Sequence, residues 1–135
     1  MKKNLENSKI TKVLDSFSFS KKSIFFIHTD ISNYNINSHS WFEKCKNLYN
    51  FFDKYFKNNT ILVPTFTYSF CKTGIFNKDR NISEVGIFTE YFRNQKNVKR
   101  SNHPIFFIAR GGINFYNIFK TTLKNCLNQT VKGKI

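Results

Sequence analysis

Between Lys99 and Pro104 the chain sets two cations, a hydroxyl, an amide and an imidazole side by side: Lys99-Arg100-Ser101-Asn102-His103-Pro104. Cationic side chains, a hydroxyl and backbone N–H groups ahead of a proline of fixed φ can hold a phosphate or a polar carbonyl. The same residues also describe an ordinary exposed basic turn, and local chemistry leaves both readings open. Two further polar segments follow apolar runs directly: His28-Thr29-Asp30-Ile31-Ser32 and Pro64-Thr65-Phe66-Thr67-Tyr68. Other chemistries lack their residues. Gly111-Gly112 has neither the additional glycines nor the Lys-Ser/Thr pair of a phosphate loop, and reads as a turn. No Gly-x-Ser-x-Gly elbow is present. Cys45, Cys71 and Cys126 form no Cys-x-x-Cys pair, and His28, His39 and His103 are scattered. Neither a Cys-His nucleophile nor a metal site is expected from such spacing, and His39 reads as an exposed histidine at a helix end.

Elements must hold these segments in place. Ser23 to His28, Thr60 to Val63 (stopped by Pro64) and Ile105 to Ala109 are short runs, apolar on both faces, that suit the centre of a covered sheet. The strongest helix runs from Ser40 to Phe56. Ser40 and Glu43 have capping-box spacing, and Trp41, Cys45, Leu48, Phe52 and Tyr55 form a helical stripe widened by Phe42, Tyr49 and Phe56. A weaker amphipathic helix spans 5–17 through Leu5, Ile10, Val13, Leu14 and Phe17. Another, from about Ser83 to Asn94, is expected to bury Ile87, Phe88, Tyr91 and Phe92, and a last one passes through Phe115, Ile118, Phe119 and Leu123. Residues 29–38 and the stretch from Pro64 to about residue 82 read as loops. Strands alternating with helices predict an α/β protein with helices on both faces of the sheet. In such sheets ligands bind beyond the C-terminal ends of strands, where the polar segments lie.

A chain of 135 residues makes one domain or part of one. Its composition, 40% hydrophobic and 22% charged with five Gly and two Pro, excludes a collagen, a coiled coil and full disorder. The net charge of +14 suggests an anionic partner. Yet Lys occurs 18 times and Arg four times, and Lys, Asn, Ile, Phe and Tyr together supply 73 residues. All five have A- or T-rich codons, so much of the lysine excess reads as drift on a solvated surface. Bidentate base reading leans on Arg, and no nucleic acid is expected as partner. The longest apolar runs have four and five residues, against about 20 needed to span a bilayer; no membrane is expected. Polar Asn4, Glu6, Asn7, Ser8 and Lys9 follow Met-Lys-Lys where a signal peptide needs an apolar stretch. A reduced cytoplasmic protein is the expectation.

Ile61-Leu62-Val63-Pro64-Thr65-Phe66-Thr67-Tyr68-Ser69-Phe70-Cys71 resembles a signature of the aminoglycoside 3-N-acetyltransferase family, also called antibiotic acetyltransferases. The run from Gly86 through Thr89-Glu90, Phe92-Arg93, Arg100-Ser101 and His103-Pro104 is similar to a second, and His28-Thr29-Asp30-Ile31-Ser32 looks like the His-Ser-Ser-Leu-type segment after that family's first strand. The features keep their order over residues 23–112.

The resemblance implies an α/β/α sandwich of the aminoglycoside 3-N-acetyltransferase type and an acetyl-CoA-dependent acyltransferase of antibiotic resistance, with a small-molecule amine as acceptor. It implies cofactor binding by Thr29, Asp30, Ile31 and Ser32 beside the acetyl-CoA arm, Thr65 and Thr67 near the same channel, and Arg100, Ser101 and His103 around the pantetheine and phosphates. The amine must lose a proton before it attacks a thioester, and the oxyanion needs donors. The family's general base lies on a His-x-x-Glu-like element of its second half, which this chain lacks, so no catalytic residue is assigned. The family is about twice as long. The expectation is a single partial, truncated domain: an N-terminal helix over 1–22, a cofactor-side half over 23–112 and a diverged tail over 113–135. Phe107 stands where the family usually has Ser, which removes one expected cofactor hydrogen bond. Aminoglycosides are polycations, and four Asp and four Glu offer few carboxylates to meet them. Acetylation of an amino sugar in surface-polysaccharide synthesis, or a non-catalytic remnant, are the alternatives.

Overall fold

The structure, a computed structural model, describes residues 5–20, 23–34, 40–104 and 107–110. Along the chain these form α1 (Leu5–Asp15), β1 (Ile24–Phe26), α2 (Trp41–Tyr55), β2 (Thr60–Pro64), α3 (Phe70–Thr73), α4 (Ile87–Arg93), β3 (Val98–Arg100) and β4 (Phe107–Arg110). Helices and strands are mixed, with β1 and β2 parallel, as an α/β reading requires. Among the described residues the sheet order is β1-β2-β4-β3, and β4 runs antiparallel to both its neighbours. The register pairs Ile24 with Thr60, Pro64 with Phe107 and Arg100 with Ile108.

The apolar stripe of α2 builds the core. Cys45, Leu48 and Phe52 recur at helical spacing and are buried, and Phe56 follows them at the C-cap. Burial pushes the Cys45 thiol up to about 11. Against this stripe lie Ile61 and Val63 of β2, Phe88 and Phe92 of α4, and Phe25 of β1, whose ring sits 4.1 Å from that of Phe56. Phe52 meets Phe88 edge-on at 6.2 Å, and Tyr49 meets Phe92 at 5.5 Å. Such ring pairs add about 0.5–1.5 kcal/mol beyond their buried area.

Several sequence expectations shift. Trp41 and Phe42, on the first turn of α2, are exposed; Phe42 meets Tyr91 edge-on at 5.5 Å and Lys44 lies over Trp41. Ser40 occupies the N-cap without a side-chain capping bond, so the spacing with Glu43 does not close a box. The pattern of β1 predicts the covered centre of a sheet, but among the described residues the strand lies at the edge. Alternate side chains point to opposite faces, and Ile24 and Phe26 remain 47% and 54% exposed while Phe25 packs inward. Gly86, with a φ of 133° that other residues rarely adopt, caps α4, whose buried face is Phe88, Thr89 and Phe92, and Ile87 falls outside that face. On α1, Ile10 and Leu14 lean on the core and Val13 points to solvent, as does Phe17 just beyond it. Strand β3 and the single turn of α3 have no sequence precedent: Val98-Lys99-Arg100 carries one apolar residue and is a strand through its pairing with β4.

Helix α1 is tied to α2 by polar contacts. Asn7 Nδ2 donates to Asn47 Oδ1 at 3.0 Å, the Tyr34 hydroxyl sits 2.5 and 2.6 Å from the amide oxygens of Asn7 and Asn47, and the Tyr55 hydroxyl donates to Asp15 at 2.5 Å. No helix among the described residues is long and apolar enough to cross a membrane. His39, Gly111-Gly112, the helix expected through Phe115 to Leu123 and Cys126 lie outside the described residues.

Candidate functional site

Topology gathers the polar segments. Because β1 and β2 are parallel, the residues after Phe26 and after Pro64 leave the sheet at the same edge. Because β3 and β4 are antiparallel, their connection through Ser101 to Pro104 turns at that edge too. At about 4.8 Å per strand, the row from β1 to β3 spans about 14 Å. All three segments singled out by their residue types therefore emerge at one end of one sheet.

Two of them are bonded together. Thr65 and Thr67 are buried, at 0% and 1% exposure. Arg100 Nη2 donates to the Thr65 carbonyl at 2.8 Å and to Thr67 Oγ1 at 2.7 Å, and its Nη1 donates to the carbonyls of Asn81 and Lys78. Thr67 Oγ1 donates to the Ile82 carbonyl and its N–H to the Pro104 carbonyl, both at 2.8 Å. Ser101 is buried; its hydroxyl donates to the His103 carbonyl at 3.1 Å and accepts the His103 N–H at 3.4 Å. The His103 side chain is half-buried. Burial holds the Arg100 guanidinium below its ordinary value; repulsion from Arg93 adds to this and attraction to Glu90 opposes it.

The third segment lies across the parallel pair. Ile27 N–H donates to the Leu62 carbonyl at 2.8 Å, extending the ladder one bond beyond β1. Thr29 follows with its Oγ1 buried and without a hydrogen-bond partner among the described residues. Asp30 Oδ1 accepts the Ser32 N–H at 2.9 Å, and this bond, with one from the Ser32 side chain, holds the exposed carboxyl below its usual range. Ile31 is buried and anchors the segment, and Tyr34 closes it against α1 and α2. Lys44 reaches the Ser32 carbonyl at 3.3 Å. His28 is exposed.

Sequence reasoning does not reach the supports of this edge. The turn that receives Arg100 is shaped by asparagines: Asn77 Oδ1 accepts from the N–H groups of Asp79 and Arg80, and Asn77 N–H donates to Asn81 Oδ1. Asparagines at that spacing signal a turn, but nothing marks their neighbours' carbonyls as acceptors. Glu84 receives the Ser69 N–H at the start of α3, and bonds from Ser69 pull its carboxyl down. Glu90 pairs with Arg93 through Nε at 2.8 Å and Nη2 at 2.5 Å and also takes the Ser83 N–H at 2.7 Å. Burial raises the Glu90 carboxyl, but Arg93, Ser83 and Asn94 together outweigh it and leave it lowered. Ser83 and Thr89 share a hydrogen bond of 2.7 Å beneath. Among the described residues no three His, Cys, Asp or Glu side chains could hold a metal ion together.

Residues 38–122 match the family model of aminoglycoside 3-N-acetyltransferase. The span runs from α2 through β4 and includes Thr65, Thr67, Arg100, Ser101 and His103; α1, β1 and Thr29 to Ser32 precede it. No curated protein and no solved structure matches the chain.

Proposed function

Because the chain belongs to the aminoglycoside 3-N-acetyltransferase family, we propose that it is an N-acetyltransferase that takes an acetyl group from acetyl-CoA to an amine of an aminoglycoside. The observation that supports this best is that three polar segments leave the sheet at the same end in a member of that family. When bound, acetyl-CoA supplies the thioester to be attacked and a set of phosphate charges.

The buried Thr29 Oγ1 fits such a ligand. A hydroxyl taken from water without a partner costs about 1–3 kcal/mol, and an amide of a pantetheine arm passing the end of β1 would give it one. In this reading Thr29, Asp30, Ser32 and His103, each at least partly accessible, touch the cofactor, while buried Ile31, Thr65, Thr67 and Ser101 form the wall behind it. Arg100 adds positive charge to that wall. The same reading assigns residues 23–112 to the cofactor side of an α/β/α sandwich in one domain, working in the cytoplasm.

Calorimetry with acetyl-CoA, followed by thiol release in the presence of a 2-deoxystreptamine aminoglycoside, tests it. Saturable binding near one per chain and thiol release that needs the aminoglycoside are expected. Absence of saturable binding would remove the cofactor role; binding without transfer would remove the aminoglycoside.

A further inference from the structure

We propose that Arg100 is a positioning residue, a clamp that fixes the Pro64–Tyr68 segment, and not a ligand of phosphate. The clamp follows from the geometry; that it positions a cofactor wall rests on the acetyl-CoA reading.

A guanidinium carries five N–H donors in a planar fork, and it grips phosphate by offering two parallel donors along one edge. In Arg100 both terminal nitrogens are engaged. Nη1 donates to the Asn81 and Lys78 carbonyls, and Nη2 to the Thr65 carbonyl and Thr67 Oγ1. The remaining Nε–H is buried without a partner among the described residues. One face is covered as well, with Cζ 5.1 Å from the centre of the Phe76 ring. A phosphate would have to break bonds to Thr65 or Asn81 before it met a donor pair.

The acceptors come from two separated stretches of chain, 65–67 and 78–81, and Thr67 adds the third by donating its N–H to the Pro104 carbonyl. One side chain thus joins the end of β2, the turn ahead of α4 and the β3–β4 connection. Among the described residues no carboxylate lies within ion-pair distance of Arg100. Oriented dipoles compensate the charge, which is why the planar fork matters more than the charge itself. A lysine offers its three donors from a single nitrogen and cannot span these acceptors.

The first test uses the unaltered chain labelled with 15N, in which four Arg give four guanidinium signals assignable by side-chain correlation. Arg100 Nη protons should be separated and slow to exchange, and should not move as inorganic pyrophosphate and then acetyl-CoA are added. A saturable shift of those signals with pyrophosphate, or a freely rotating guanidinium, overturns the clamp. A second test compares Arg100→Lys and Thr67→Val. Amide exchange at Thr67 and Glu84 should speed up by at least about tenfold, as losing a bond to a charged donor implies, while α2 keeps its protection. Acetyl-CoA and its 3′-dephospho form should weaken by the same factor in Arg100→Lys. Retained loop protection, or a loss confined to the phosphorylated form, overturns the proposal. If Arg100→Lys does not fold, the signals of the unaltered chain decide. If acetyl-CoA does not bind while the guanidinium is held, the functional reading fails and the clamp stands.

Discussion

Strand β2 passes between two interiors of opposite chemistry. Ile61 and Val63 lie among the rings of α2 and α4, while Thr65 and Thr67, just beyond the strand, lie among carbonyls, hydroxyls and a guanidinium. Burial is the same at all four, at 1% exposure or less. The first interior is held by non-directional contact, so it tolerates changes of shape that conserve volume. The second depends on every acceptor being in place, because an unpaired polar group there has no water to fall back on.

The largest effect should come from the ring side. Phe92→Ala removes a fully buried ring and should cost about 3–5 kcal/mol in urea unfolding, whereas Phe26→Ala, at a half-exposed edge position, should stay below about 1 kcal/mol. Equal losses would mean that the second face of β1 is covered after all. Next comes the polar side. Arg100→Lys should lose about 2–3 kcal/mol although it keeps the charge; a loss near zero would erase the distinction between the two interiors.

A smaller effect should come from Glu90, whose pair with Arg93 is partly open to solvent. Glu90→Gln should cost about 1–2 kcal/mol at neutral pH. The folded-state carboxyls of Asp30, Glu84 and Glu90 all lie below their ordinary values. Their contribution is present above the unfolded values, about 3.9 for Asp and 4.3 for Glu, and is lost as pH falls through the lower folded values. The melting temperature should hold level down to about pH 5 and drop below pH 4, with a shallower drop in Glu90→Gln. The least effect is a labelling contrast with no cost in stability. Peptide-resolved alkylation should modify exposed Cys71 in the native protein and reach buried Cys45 only through opening. Equal rates would mean that the ring interior opens freely.

The ring interior was legible because helical spacing is a global signal: Cys45, Leu48, Phe52, Phe88 and Phe92 all fall where the period puts them. Its errors are local. Trp41 and Phe42 extend a correct stripe too far, and Ile87 misses because the buried face of α4 is centred on Phe88, Thr89 and Phe92. The polar interior was legible only as residue types. Nothing in Arg100-Ser101 says that the guanidinium turns inward to carbonyls of residues 65, 78 and 81, since a carbonyl leaves no mark in a sequence. Likewise β3 exists through its partner, and the apolar run of β1 does not say that, among the described residues, it pairs on one side alone.

The knot of Asn7, Tyr34 and Asn47 ties residues ahead of the family-model match to a residue within it. The family-model match begins at residue 38, yet Asn47, inside that stretch, is bound by Asn7 and Tyr34 outside it. A protein trimmed to the region of likeness would lose β1 from β2, Phe25 from Phe56, and Ile31 and Tyr34 from the interior. Trimming to the matched stretch would therefore leave part of this core uncovered.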